Sequence, residues 1–158
     1  MTARTDDGRR RIVVGVDGSA SSKAALAWAI GQAGLTGAVV EAVIAWESPA
    51  FAGYPDLMPD NDWQEELAGH IVGDTVAEVA GSTGPVVIKN KIMKGNAAEV
   101  LLAESSGADL LVVGNRGFGG LAGALLGSTG QHCVHHATCP VVVIRESVTG
   151  AAAGTKRR

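Results

Sequence analysis

The sequence predicts an α/β fold, a single doubly wound domain whose five-stranded parallel sheet carries helices on both faces. Short, almost uninterrupted apolar runs alternate with segments of helical periodicity, which gives the order β-α-β-α-β-α-β-α-β. Runs of this kind have no polar face for water, and this is typical of parallel strands that are covered on both sides. Glycine, proline and capping residues separate the strands from the helices.

The composition fits one globular domain and excludes several function classes. Of the 158 residues, 46% are hydrophobic and only 18% are charged, so the chain is too apolar to be disordered throughout. The formal net charge is −3 and aromatic residues make up 4%, so neither a basic surface nor a stacking platform for nucleic acid is expected. The two cysteines, and the absence of an apolar leader or a membrane-length apolar run, predict a cytoplasmic protein without a membrane partner.

The two ends of the chain differ from its centre. Residues 1–10 are polar, and residues 147–158 are rich in small residues and end in three basic ones. We expect both to be disordered tails around a domain that spans residues 11–146.

The first predicted elements are a strand and the helix that follows it. The apolar run over 12–16 is the strand, and residues 19–22 then supply helix-capping side chains. The helix is expected over the alanine-rich segment 23–33, with Gly34 and Gly37 ending it.

A loop with three prolines is expected over 48–62, after a second strand at 39–46. Apolar residues at helical spacing over 63–79 then indicate an amphipathic helix. Residues 81–85 break that helix, and the segment over 86–92 is the third strand.

The last predicted elements surround a glycine-rich stretch. A helix over 97–105, capped by the asparagine before it, leads to a fourth strand at 109–113. Glycines are frequent from 114 to 127, and a short helix over 128–136 and a fifth strand over 140–145 complete the domain.

Two loops are candidate ligand sites, because open parallel sheets bind ligands beyond the carboxyl ends of their strands. Asp17 directly follows the first strand, where its carboxylate could accept hydrogen bonds from a sugar hydroxyl. An aspartate in a turn can equally serve nearby backbone amides, so the residue alone leaves both interpretations open.

The loop after the fourth strand begins with Gly114-Asn115-Arg116-Gly117 and ends with Gly127-Ser128-Thr129. Glycines let a backbone approach a ligand closely, and amides and hydroxyls at the start of a helix favour phosphate. The alternative is a flexible connection followed by an ordinary helix cap. Neither standard phosphate motif fits, because the P-loop lysine is missing and Gly117-x-Gly119-x-x-Ala122 follows the fourth strand rather than the first.

Three segments together resemble the universal stress protein family. The spacing G-x2-G-x9-G-[ST] is similar to the nucleotide motif of that family, and it is formed here by Gly114, Gly117, Gly127 and Ser128. The segments VVGVDGS at 13–19 and CPVVV at 139–143 also lie where the family has them. The resemblance covers about residues 11–145.

The resemblance implies a sheet in the order 3-2-1-4-5, a homodimer and, for the UspA-like branch that carries the motif, binding of ATP with Mg²⁺. The residues that it implies are Asp17 for the ribose, Ala45, Val113 and Gly114 for adenine and adenosine, and Gly117, Gly127, Ser128 and Thr129 for the phosphates. Ala97 stands where the family often has the proline of Gly-x-Pro, and Arg116 lies at a variable position of the motif.

Potential metal ligands cluster near the end of the chain, at His132, Cys133, His135, His136 and Cys139. Their spacing matches no standard zinc motif, and Pro140 turns the chain into the last strand. We therefore expect exposed histidines and a buried cysteine instead of a metal site. No nucleophile arrangement and no pair of carboxylates near the glycine loop indicates a catalytic residue.

The sequence thus predicts a cytoplasmic, ATP-binding switch or buffer in a stress response, without dedicated catalytic residues. Slow ATP hydrolysis, and cyclic AMP binding on the same fold, are the alternatives. The homodimer is expected to form through the C-terminal strand at Val141–Ile144, because this run would otherwise be an exposed apolar edge.

Overall fold

The computed structural model describes residues 8–47, 62–81, 84–117 and 126–146. Most of the two predicted tails, almost all of the proline-bearing loop over 48–62 and the centre of the glycine-rich stretch lie outside the described residues. Within the described ranges, no helix is both long enough and apolar enough to cross a membrane.

Strands and helices alternate along the described chain, as the sequence predicts. The strands are β1 (Arg11–Gly15), β2 (Val39–Trp46), β3 (Ile88–Lys94), β4 (Leu110–Gly114) and β5 (Val141–Ile144). The helices are α1 (Ala20–Thr36), α2 (Asp62–Ala80), α3 (Ala97–Glu104) and α4 (Ser128–His136). β2 and α4 have the predicted bounds, and the other elements differ from their predicted bounds by a few residues at one end or both.

The strands form one parallel sheet in the order β3-β2-β1-β4-β5, which confirms the predicted order. β1 lies at the centre, where Val14 pairs with Ala42 of β2 on one side and with Val112 of β4 on the other. The chain leaves β1 toward β2 and later crosses to β4. The carboxyl ends of β1 and β4 therefore flank the point at which the strand order reverses.

Each face of the sheet has its own hydrophobic core, because consecutive strand residues point to opposite faces. Val14 packs in the core that α1 and α2 cover, together with the buried Leu26 of α1. Val13 packs in the core on the other face, with Leu101 of α3 and Cys133 of α4. Helices on both faces thus confirm the doubly wound architecture.

Capping residues decide where α1 begins and ends. The Ser19 hydroxyl oxygen accepts a hydrogen bond from the Ser22 N–H at 3.3 Å, so the helix begins earlier than predicted. Of the two glycines expected to end the helix, only Gly37 does so, because it adopts a left-handed φ of 76° and its N–H bonds to the Ala33 carbonyl. Gly34 has no such conformation and lies inside the helix.

The two edges of the sheet differ in charge. β3 is shifted two residues from its predicted position, because its pairing with β2 extends to Lys94 opposite Trp46. This edge carries Lys89 and Lys91 as well as Lys94, and lysines on an edge discourage pairing with another strand. β5, the other edge, consists of three valines and an isoleucine.

A buried group of charges joins the strands near their amino ends. The Arg11 guanidinium donates two hydrogen bonds to the Glu41 carboxylate, from Nε to Oε1 at 3.1 Å and from Nη2 to Oε2 at 2.9 Å. Lys91 Nζ lies 3.3 Å from Glu41 Oε2 and 3.0 Å from Glu104 Oε2. Arg11 Nη2 also donates to the Glu104 carbonyl at 2.8 Å. Two cations therefore balance two carboxylates beneath the end of α3, which is what burial of charge requires.

This pairing sets the pKa values of the buried groups. Burial by itself would raise the pKa of Glu41, but the hydrogen bonds and charges of Arg11 and Lys91 outweigh it and hold the pKa below its usual range. Because the folded pKa lies below the unfolded one, the stabilisation from Glu41 is present above about pH 4.5 and is lost as the pH falls through the folded pKa.

We expect Glu41→Gln to lower the free energy of unfolding by about 3 kcal/mol, because the buried Arg11 guanidinium would lose its carboxylate partner. Urea unfolding at neutral pH measures this change. The variant should also show a smaller loss of stability below about pH 4.5 than the wild-type chain, since a glutamine has no proton to gain.

Glu78→Gln is the matched control. Glu78 Oε2 lies 2.9 Å from Lys23 Nζ, but the side chains of Glu78 and Lys23 are 62% and 37% exposed. Loss of an exposed pair costs below about 1 kcal/mol. If both glutamine variants lost the same stability, the buried charges would have no special role in the fold.

Candidate ligand-binding cleft

A cleft of about 260 Å³ opens at the carboxyl edge of the sheet, where β1, β4 and the start of α4 meet. All eight residues that the resemblance assigns to a nucleotide site line this cleft: Asp17, Ala45, Val113, Gly114, Gly117, Gly127, Ser128 and Thr129. Segments that are far apart along the chain therefore meet at the strand reversal, which is where open parallel sheets bind ligands.

The Asp17 carboxylate has one oxygen in a turn and the other toward the glycine loop. Oδ1 accepts a hydrogen bond from the Ser19 N–H at 2.8 Å, so the turn interpretation of this residue holds for one oxygen. A Cβ atom added at Gly117 would lie 2.6 Å from Oδ2, which places that oxygen directly against the loop. Asp17 can thus stabilise its own turn and still present an oxygen at the cleft.

The glycines of the loop differ in how much room their surroundings leave for a side chain. A Cβ at Gly114 would lie 2.7 Å from the backbone carbonyl carbon of Ser21, so no side chain fits between β4 and α1. At Gly117 the obstacle is the Asp17 carboxylate. At Gly127 the nearest atoms to an added Cβ are 3.6 Å away, which is ordinary contact. The described protein atoms therefore leave room for a side chain at position 127.

Ser21 fixes the start of the glycine loop. Its hydroxyl donates a hydrogen bond to the Arg116 carbonyl and accepts one from the Arg116 N–H at 3.4 Å. The side chain is buried, and it holds both backbone groups of a residue 95 positions away. Sequence reasoning treats Ser21 as a capping residue of α1, and nothing in the local pattern signals this distant contact.

The two ends of the glycine loop are joined to each other. The Gly127 N–H donates to the Asn115 carbonyl at 2.6 Å, and the Asn115 N–H donates to the Ile144 carbonyl of β5 at 2.9 Å. The Gln131 side chain adds a hydrogen bond from Nε2 to the Leu126 carbonyl at 3.0 Å. These bonds hold the loop ends at the cleft, whatever the path of residues 118–125.

The start of α4 forms the polar wall. Gly127 is the N-cap residue and offers no side chain to the first N–H groups of the helix. Ser128 and Thr129 follow in the first turn, so backbone amides and two hydroxyls border the cleft. The positive end of a helix with free amides favours an anion.

Apolar side chains form another part of the lining, the apolar wall. Val43 and Ala45 of β2, Leu101 of α3 and Val113 of β4 lie there. Apart from the eight predicted residues, the lining consists of Gly15, Val16, Ser22, Val43, Ala97, Leu101, Asn115, Arg116 and Gly130. Most of these residues are typical of a sheet core or a helix start, so no sequence signal separates them from packing residues.

The histidine and cysteine cluster lies at the other end of α4. Cys133 is fully buried in the core, and burial, followed by the charge of Cys139, raises the pKa of its thiol to about 11. The three histidine side chains of α4 are exposed. Within the described ranges, no group of three or more histidine, cysteine or acidic side chains is arranged to hold a metal ion.

The model of the universal stress protein family matches residues 8–145. A universal stress protein from Mycolicibacterium smegmatis is 38% identical over 138 residues, which are 84% of this chain and 47% of that protein. The chain spans about half the length of the curated relatives that it matches.

Solved structures of the same family share the fold. The universal stress protein UspA from Lactobacillus plantarum superposes with a TM-score of 0.65 at 25% identity, and the match covers 90% of this chain and 99% of that one. A universal stress protein crystallised in complex with cAMP gives a TM-score of 0.62 at 26% identity, covering 87% and 98% of the two chains.

The family match begins before β1 and ends just after β5, so it includes the whole sheet and all of the described cleft. The strand order and the segments that carry the sequence resemblance agree with it. This chain therefore belongs to the universal stress protein family.

Proposed function

We propose that the cleft binds an adenine nucleotide, ATP with Mg²⁺, and that its occupancy acts as a switch or buffer in a stress response. The observation that carries the proposal is the start of α4, which has no side-chain cap and borders a glycine-lined cleft. Such a helix start attracts phosphate. The family member solved with cAMP supports an adenine nucleotide as the ligand.

The phosphates are assigned to the polar wall. They would lie along Gly117, Gly127 and the first turn of α4, where Ser128 and Thr129 add hydroxyl groups. Gly127 supports this position, because the protein leaves room for a side chain there and the sequence has none. Mg²⁺ would arrive with the triphosphate and neutralise part of its charge.

The nucleoside is assigned to the other wall. The Asp17 oxygen that faces Gly117 would accept a hydrogen bond from the ribose, while its partner oxygen stays on the Ser19 N–H. Ala45, Val113 and Gly114 would surround adenosine, since small and apolar groups leave space for a flat base.

The lining of the cleft favours binding over hydrolysis. Asp17 is the single carboxylate among the described lining residues, which include no histidine and no cysteine. One of its oxygens is already engaged by the Ser19 N–H. The described lining thus offers no group placed to take a proton from an attacking water, so ATP is proposed as a ligand rather than a substrate. Such a nucleotide switch fits the cytoplasmic location predicted from the sequence.

A homodimer through β5 is part of the proposal. β5 is an edge strand of four half-buried apolar residues, whereas the opposite edge carries Lys89, Lys91 and Lys94. An uncharged edge invites pairing, and a lysine-bearing one opposes it. The difference between the edges supports β5 as the strand that meets a second copy.

Gly127→Val should remove the bound nucleotide and leave the fold intact. The extended backbone at this position, with φ −72° and ψ 171°, accepts any residue, and the added Cβ has room. The two methyl groups that valine carries on its Cβ would occupy the space proposed for phosphate. Mass spectrometry of nucleotide released from freshly purified protein, followed by calorimetric titration with ATP, measures the loss.

Gly31→Val is the control for this experiment, because an added Cβ at Gly31 meets no atom within 4 Å and the residue lies on α1 away from the cleft. It should retain the same nucleotide content as the wild-type chain. Nucleotide retained by Gly127→Val at the wild-type level would show that the phosphate position is wrong.

ATP should compete with cAMP for one site and bind more tightly, because a triphosphate can use the whole polar wall whereas a cyclic phosphate reaches only part of it. Competition titration measures the two affinities. Tighter binding of cAMP would make the protein a cyclic-nucleotide receptor.

Phosphate release that is saturable in ATP, and is lost in Asp17→Ala, would make it a slow ATPase.

Val142→Asp should convert the dimer to monomers, because two unpaired carboxylates would meet at the edge where β5 strands pair. Light scattering reports the mass, and circular dichroism confirms that the variant is folded. Ile92→Asp is the control on the opposite edge, where the side chain is 36% exposed, and it should stay dimeric. A dimeric Val142→Asp would contradict the β5 interface.

A further inference from the structure

His132 and His136 form an exposed pair on the last turns of α4. They lie four residues apart, so one helical turn brings them onto the same side of the helix. Their ring centroids are 4.5 Å apart, with the ring planes tilted by 45°. Within the described part of the chain, no salt bridge or hydrogen bond engages either ring, so the nitrogens remain available.

The other potential ligands of this region do not join the pair. Cys133 is fully buried and packs in the core, so its thiol is separated from the exposed histidine rings. The His135 ring lies 6.4 Å from the His136 ring, at a tilt of 60°. Of the three imidazoles on the helix, only those of His132 and His136 have their centroids as close as 4.5 Å.

We propose that His132 and His136 chelate one divalent transition-metal ion, such as Ni²⁺, Cu²⁺ or Zn²⁺, with one ring nitrogen each. With metal–nitrogen distances of about 2.0–2.1 Å, two imidazoles at neighbouring positions of one ion have centroids roughly 4.5 Å apart at a right angle and about 5.2 Å apart at a tetrahedral angle. The observed centroid separation of 4.5 Å equals the value for a right angle at the metal. Imidazole suits these three ions, and water would fill their remaining positions.

The place of the pair on the helix also favours a cation. His132 lies at the middle of α4 and His136 in its last turn, toward the negative end of the helix dipole. The two imidazoles add no positive charge that would repel the ion, because histidine is neutral when it binds a metal. The carbonyl groups of the last turn therefore attract the ion rather than oppose it.

Chelation would stabilise α4. The helix has nine residues and buries only Gly130 and Cys133, so it is short for a helix and has few core contacts. A metal ion held by residues one turn apart would link its last two turns. Because the first turn of the same helix borders the cleft, the site would couple metal binding to the rigidity of the polar wall.

Titration of the full-length chain, without an affinity tag, with Ni²⁺ in a calorimeter tests the proposal. The wild-type chain should bind one ion saturably. His132→Ala and His136→Ala should each weaken binding at least about tenfold, because one imidazole loses the benefit of chelation. His135→Ala is the matched control, since it removes an imidazole from the same helix and should change affinity by less than about twofold.

Hydrogen exchange gives a second readout that does not depend on nucleotide. Ni²⁺ should slow amide exchange across α4 in the wild-type chain and in His135→Ala, but not in His136→Ala. No saturable binding by the wild-type chain, or equal losses in all three alanine variants, would overturn the proposed pair. Circular dichroism of each variant excludes loss of the helix as the cause.

Discussion

The close approach of α1 to the end of β4 is the constraint on which the cleft depends. A Cβ at Gly114 would lie 2.5 Å from Ser21 Oγ, so the first turn of the helix rests directly on the strand. This contact brings the Asp17 turn against the loop that begins at Asn115, and the Ser21 hydroxyl then fixes Arg116 through both of its backbone groups. A side chain at position 114 would separate the two halves of the cleft, because a close-packed interior cannot absorb it without movement.

The buried charges and the cleft lie at opposite ends of the same strands. β1 begins at Arg11, whose guanidinium pairs with Glu41 in a buried group of charges, and it ends at Gly15, which lines the cleft. Between these two ends, Ile12, Val13 and Val14 of β1 are buried in the cores on the two faces of the sheet. The charged side chains cannot move apart without leaving buried ions unpaired. They therefore hold the strands in register. The end of the sheet at the cleft consists of turns and the start of a helix, so its residues can change without breaking the buried charge pairs.

The sequence predicts most of the fold and the outline of the cleft, and the failures have physical causes. Strand order follows from the resemblance, and apolar runs locate β1, β2, β4 and β5, because covered parallel strands leave a strong signal. β3 carries three lysines, and its predicted position is two residues too early. Ser21 was missed because a serine at a helix start has a local explanation, while its partner is 95 residues away. The Arg11–Glu41 pair was missed for the same reason: each charge sits at or within an apolar run, and only the register of β1 and β2 brings them together. Gly34 was misjudged because composition does not reveal which glycine adopts a left-handed conformation.

The bond between the Gly127 N–H and the Asn115 carbonyl joins the two ends of the glycine loop at its base. The two ends are hydrogen-bonded to each other, and Asn115 is also bonded to β5, so these bonds fix the ends whatever the loop length. Lengthening a closed loop costs little entropy. A longer chain between Gly117 and Leu126 would therefore leave the bonds at the base of the loop in place. For protein engineering, the same position is a natural insertion point for a reporter domain, whose signal would then follow events at the neighbouring cleft.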